Sequence, residues 1–286
     1  MNKDEKLTPI KAANHLNKIA KLFHNAHGSE RFPIDVDQIA KGCGEIFKWN
    51  DPIVDIEEAN IPNFEGMLFS NDEKTKWKIA YNSKLNSEGR IRFTKAHELG
   101  HYVLHRQQQE KFLCSKDDML EWSNEENIES QADLFASYLL MPLDDFRSQL
   151  NGSKVNLDIL SHCADRYGVS LTATILKWLS YTPEKAVLVM SNDGFINWAS
   201  SSNAAVKAGA YFKTRRNVIE LPTNSLAKNE NVLSEKQGTK ISSKTWFPHA
   251  DTDSNLLEMK IFSDQYDSTL SLLVLPKHDE FWPTKK

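Results

Sequence analysis

The stretch Lys95–His105, "KAHELGHYVLH", sets His97, His101 and His105 four residues apart, with Glu98 directly after the first and Gly100 in the middle. An α-helix turns about 100° per residue, so His101 falls about 40° round from His97, and Glu98 about 100°. Phe93, Ala96, Gly100, Val103 and Leu104 gather in an apolar stripe between about 240° and 340°. Imidazoles and a carboxylate thus line one edge of a stripe meant for the core, leaving Lys95 and Tyr102 for an exposed back. This is the H-E-x-x-H arrangement: two ring nitrogens spaced to grip one Zn2+ at about 2.0–2.1 Å, with a carboxylate beside them to act on water. A catalytic site of this kind needs a third protein ligand from elsewhere in the chain and an open position for water.

A second helix is expected over about residues 124–140, with Ser123 and Glu126 as a capping box and Pro142 at its end. Glu129, Ala132, Asp133, Ala136 and Leu140 share one face of it. That face is small and apolar apart from two carboxylates, and an unpaired charge on a packing face costs several kcal/mol. A metal ion would remove the penalty for Glu129, and the N–H of a ligand imidazole would remove it for Asp133. Glu125 and Glu126 are the rival third ligands, the first in the opening turn and the second engaged by the cap. Gly100 gives up about 1 kcal/mol of helix propensity and in return lets two helices approach closely beside the site. His105 falls below Glu98 as a cleft-side or structural histidine.

The chain has 286 residues, which suits two domains or one domain with an appendage. Residues 1–150 hold both motif helices, a helix over 8–26, a short helix starting at Asp35 or Asp37 and ending at Gly42 or Gly44, and a hairpin from "EGMLFS" and "KWKIAYNS". Residues 151–183 read as a helix-turn-helix-like connector around Gly168. Residues 184–286 turn to strands: "AVLVMS" and "FINWAS" about an Asn192-Asp193-Gly194 turn, then "NVIEL", "LLEMKIF" and "STLSLLVL". The fold class is α+β, with a mixed, mainly β C-terminal domain as a sensor or substrate-recognition unit. A net charge of −4 argues against a general nucleic-acid coat. Direct DNA binding through 154–180 and the basic residues Lys207, Lys213, Arg215 and Arg216 is the weakest of the readings. The acidic run Asp117, Asp118, Glu121, Glu125 and Glu126 reads as a solvated stretch that could also steer a basic substrate. There is no signal-like N-terminal segment and no run long enough to span a membrane. Cys43, Cys114 and Cys163 read as reduced, half-buried thiols, so a cytoplasmic setting is expected.

"RFTKAHELGHYVLH" (92–105) followed by "ESQADLFASYLLMP" (129–142), with the lead-in "FPIDVDQIAKGCG" and "EGMLFS…WKIAYNS", resembles the ImmA/IrrE family of zinc metallopeptidases over about residues 30–180. The resemblance implies a small zincin-like domain of helices and a short antiparallel sheet. It implies His97, His101 and Glu129 as ligands of one Zn2+ per chain and Glu98 as catalytic base; Mn2+ is the alternative occupant, since availability partly decides which ion a site holds. Family members often carry Asn where this chain has Asp133; either can support a histidine. It also implies a regulatory endopeptidase that cleaves a helix-turn-helix repressor and so switches on phage, mobile-element or stress-response genes. The contrasting expectation is a non-proteolytic metal-binding sensor that sequesters a repressor or other partner through its C-terminal domain.

Overall fold

The computed structural model describes residues 7–85, 87–114 and 127–283. The chain divides into two compact units, Met1–Asn151 with Cys163–Ser170, and Gly152–His162 with Leu171–Lys286.

In the first unit, α1 (Pro9–His27) starts where the Thr8 side chain accepts from Lys11 N and stops at Gly28, whose φ of 63° suits a residue without Cβ. Asp35 caps α2 (Val36–Phe47), which runs through Gly42 and Gly44, the glycines expected to end it, and stops on Lys48 in the left-handed region. The packing face of Val36, Ala40, Cys43 and Gly44 carries the helix past both glycines. Gly44 is needed there because a Cβ would meet Pro52 Cβ at 3.1 Å.

Strands β1 (Ile53–Ala59), β2 (Gly66–Ser70), β3 (Trp77–Asn82) and β4 (Lys111–Cys114) form one sheet in the order β1-β3-β2-β4. The expected hairpin is the antiparallel pair β2–β3, and β4 adds antiparallel to β2. The sheet is mixed, because β1 lies parallel to β3. Leu68 and Ile79 of this sheet and Leu99, Phe135 and Leu139 of the helices are fully buried.

Helix α3 (Glu88–His105) carries the first motif and α4 (Ile128–Leu140) the second; α5 (Leu143–Leu150) follows. Asn127 is the N-cap of α4, its side chain accepting from Glu129 N. The Ser123–Glu126 box, the rival ligands Glu125 and Glu126 and the acidic run from Asp117 lie outside the described residues. The back of α3 corrects an expectation: Tyr102 is buried, its ring between Trp49 and Trp77 and its hydroxyl donating to Asp51 O at 3.0 Å. Aromatic neighbours from outside the helix cover a face that helical periodicity alone leaves to solvent. α1 is tied to α4 by Asn17, whose Nδ2 donates to the carbonyls of Tyr138 and Leu139 at 3.0 and 3.1 Å.

α6 (Leu157–Tyr167) begins in the second unit and ends in the first. The second unit continues with α7 (Leu171–Leu179), β5 (Ala186–Asn192), β6 (Phe195–Ser201), α8 (Asn203–Lys207), β7 (Ser234–Ser242), β8 (Asn255–Ser263) and β9 (Ser268–Val274). Its sheet is antiparallel in the order β6-β5-β9-β8-β7. Asp193 and Gly194 both have positive φ, as the tight turn between β5 and β6 demands. "NVIEL" is not a strand; it makes only an isolated bridge between Phe195 and Glu220. The polar β7 takes the edge position instead. Val187, Val189, Leu256 and Leu273 pack with Trp246, Phe247 and Phe281 to form the core. No helix among the described residues is long and apolar enough to cross a membrane.

α7 buries Thr174, Ile175, Lys177, Trp178 and Leu179. Lys177 is its one basic residue, so this helix brings no exposed charge to a nucleic-acid backbone. Burial lowers the Lys177 ammonium to about 7 from 10.5. Between those values the unfolded chain holds the extra proton, so stability rises with pH across that window. Lys177→Met is expected to raise the unfolding free energy at neutral pH by on the order of a few kcal/mol and to flatten the rise between pH 7 and 10, measured by urea denaturation at stepped pH.

Candidate metal centre

Gly100 sets how closely α3 and α4 meet. A Cβ there would lie 3.1 Å from Ala132 Cα, 3.2 Å from Ala132 O and 3.1 Å from a Phe135 ring carbon. At that approach the donors on the two helices face one another. His97 Nε2 lies 3.1 Å from Glu129 Oε2, His101 Nε2 lies 3.3 Å from the same oxygen, and the two Nε2 atoms are 3.0 Å apart. Donors bonded at about 2.0–2.1 Å to one tetrahedral zinc ion stand roughly 3.3 Å from each other, so the spacing suits a shared ion.

The hydrogen bonds behind these atoms fix which way the lone pairs point. His97 Nδ1 donates to Asp133 Oδ1 at 2.8 Å. Gln131 Oε1 is 3.2 Å from His105 Nε2, and His105 Nδ1 is 3.2 Å from His101 Nδ1. If each step donates toward Gln131, His101 Nε2 is left with its lone pair facing Glu129. Two lone pairs and a carboxylate oxygen at contact distance repel unless a proton or a cation lies among them. His105 is buried against His101 and Gln131, and Asp133 is buried behind His97.

The electrostatics agree with a site built for positive charge. Burial disfavours a charged His97, but hydrogen bonding to Asp133, Cys114 and Glu129 outweighs it and holds its pKa well above the ordinary value. Burial also opposes charge on Glu129, yet the His101 and His97 rings beside it hold its carboxyl far below the usual range. Burial pushes His101 down to about 4. Without a cation, then, His97 keeps the proton that settles the cluster. Glu98 stands beside it with both carboxylate oxygens buried and without a hydrogen-bond partner among the described residues. Burial, with a further push from Glu129, raises it to about 8.

The structure adds three residues to those the sequence singled out. Cys114, read from the sequence as a reduced, half-buried thiol, has its sulfur with one ligand atom each from His97 and Glu129 in a cluster whose members all lie within 4.8 Å of one another. Phe112 stacks on the His101 ring, centroids 4.6 Å apart. Gly66 lies against the glutamate, since a Cβ there would sit 2.6 Å from both Glu98 Oε1 and Thr94 Cγ2. Strand pairing brings all three to the site, so no local spacing announces them. The glycine in "EGMLFS" was the one available signal.

Two measurements check this geometry. Asp133→Ala is expected to weaken zinc binding about 10–100-fold in competition with a chromophoric chelator, because His97 loses the acceptor that orients it. Gly100→Ala is expected to lower zinc affinity too, despite its better helix propensity, because it pushes α4 away from α3.

A family model described as the IrrE N-terminal-like domain of peptidase M78 matches residues 50–178. This range takes in α3, β4 and α4 with every donor named above. No curated protein matches the chain. Among solved structures, a Mycobacterium tuberculosis transcriptional regulator matches with a TM-score of 0.51 at 12% identity, over 94% of this chain and 82% of that one. At that identity the likeness is one of fold. The paired helices and their donors thus lie within a stretch similar to the IrrE N-terminal-like domain of peptidase M78.

Proposed function

We propose that the chain is a zinc-dependent regulatory endopeptidase of the cytoplasm that cleaves a helix-turn-helix repressor. In this reading His97, His101 and Glu129 hold the metal, Glu98 is the catalytic base, and residues 184–286 form a sensor or substrate-recognition domain. The observation that carries it is the meeting of two imidazole nitrogens and one carboxylate oxygen within 3.3 Å, beside a buried glutamate with no hydrogen-bond partner among the described residues. The peptidase family of residues 50–178 supports hydrolysis, and the fold shared with a transcriptional regulator suits a regulatory setting.

A bound Zn2+ supplies Lewis-acid polarisation of a scissile carbonyl and acidifies water. Glu98 takes a proton from the attacking water and returns it to the leaving amine. Its carboxylate oxygens are buried and make no other hydrogen bond among the described residues, which leaves them free to exchange that proton. Asp133 keeps the His97 proton on Nδ1, which turns Nε2 toward the ion. His105 and Gln131 do the same for His101.

The test incubates the metal-loaded chain with helix-turn-helix repressors encoded beside its gene. The expected result is a specific fragment that chelation abolishes. An intact repressor–protein complex without a fragment would replace cleavage by sequestration. Glu98→Gln is expected to keep the metal and slow cutting by about 10²–10⁴-fold. Gly66→Ala is expected to leave metal content unchanged and still cut more slowly, since its methyl group displaces the Glu98 carboxylate.

A further inference from the structure

β4 is a short strand with a fixed register. Gly66 pairs with Cys114, Met67 with Leu113, Leu68 with Phe112 and Phe69 with Lys111. Its ends are tied as well: Glu65 N donates to Cys114 O at 2.8 Å, and Ser70 N donates to Glu110 O at 3.0 Å. Side chains two apart on a strand share a face, so Phe112 and Cys114 point the same way. Phe112 lies on the His101 ring, and Cys114 is fully buried beside His97 and Glu129. The cluster of His97, Cys114 and Glu129 thus shares two members with that of His97, His101 and Glu129.

We propose that Cys114 is a fourth protein donor to the metal and that, until a substrate displaces it, its sulfur holds the site latent by filling the position a water would need. The inference rests on the metal-centre reading above. Zinc sites with four protein ligands are closed, and those with three keep a place for substrate chemistry. The thiol gives its proton to solvent as the sulfur binds. The strand holds the sulfur beside His97 and Glu129, because β4 is paired to β2 and Phe112 is stacked on the His101 ring. A thiolate among the donors favours Zn2+ over Mn2+, since soft sulfur suits the former and oxygen ligands the latter. Displacing Cys114 opens the shell and leaves His97, His101 and Glu129 in place.

The test uses the full chain loaded with one equivalent of Zn2+ or Co2+. X-ray absorption at the zinc edge is expected to show one sulfur at about 2.3 Å among nitrogen and oxygen donors. The cobalt form is expected to show a near-ultraviolet thiolate charge-transfer band that Cys114→Ser abolishes. Acetohydroxamate, followed by the visible cobalt bands, is expected to bind Cys114→Ala at least about tenfold more tightly than the parent, because a three-ligand site has a free position. One metal bound without sulfur overturns the inference and leaves the three-ligand centre standing. Failure of the parent chain to bind either metal overturns both. Equal hydroxamate affinity in parent and variant overturns latency. The sulfur signal of the parent chain needs no variant, so misfolding of either substitution leaves a decisive measurement.

Discussion

The approach of α3 to α4 at Gly100 governs the first unit. A single missing methyl group lets the backbone of Ala132 come within van der Waals reach of the first motif helix. Without that approach, Glu129 and Asp133 would be two carboxylates stranded on a buried face, at a cost of several kcal/mol. With it, each has an imidazole partner. The sheet behind and α1 on the far side of α4 hold the pair in place, so local helix propensity is sacrificed for a tertiary contact.

The cluster concentrates opposite charges in a dry interior. Three histidines, Glu98, Glu129 and Asp133 lie within one small region, and most of them are almost wholly removed from water. Such a group must carry compensating positive charge, either a proton on His97 or a cation among the donors. Folding and ion binding therefore draw on the same electrostatic reservoir, and occupancy should stabilise the whole unit rather than one helix.

Much of this was readable from residue order. His97, Glu98, His101, Glu129 and Asp133 sit on two helices, and a helix converts sequence spacing into direction without knowledge of the rest of the chain. The hairpin about Asp193-Gly194 was equally plain because few residues accept its backbone angles. The hidden parts share one cause. β1 and β7 are half polar, so they lack a clean alternating pattern, and the burial of Tyr102 depends on rings brought in from distant segments. Cys114 and Gly66 reach the site through strand pairing, and a register is a relation between two segments that neither spells out alone. The α4 cap lies at Asn127, where a side chain that accepts from Glu129 N was passed over for the more familiar pattern upstream.

The alternation along β4 has a consequence for how such chains can diverge. Phe112 and Cys114 face the helix only because an even number separates them and the strand enters in one phase. Inserting or deleting a single residue just ahead of Phe112 would swing both side chains to the opposite surface while preserving the backbone ladder. Length parity in that short approach would therefore act as a one-step evolutionary toggle between a thiol-guarded and an unguarded form, with every motif residue untouched.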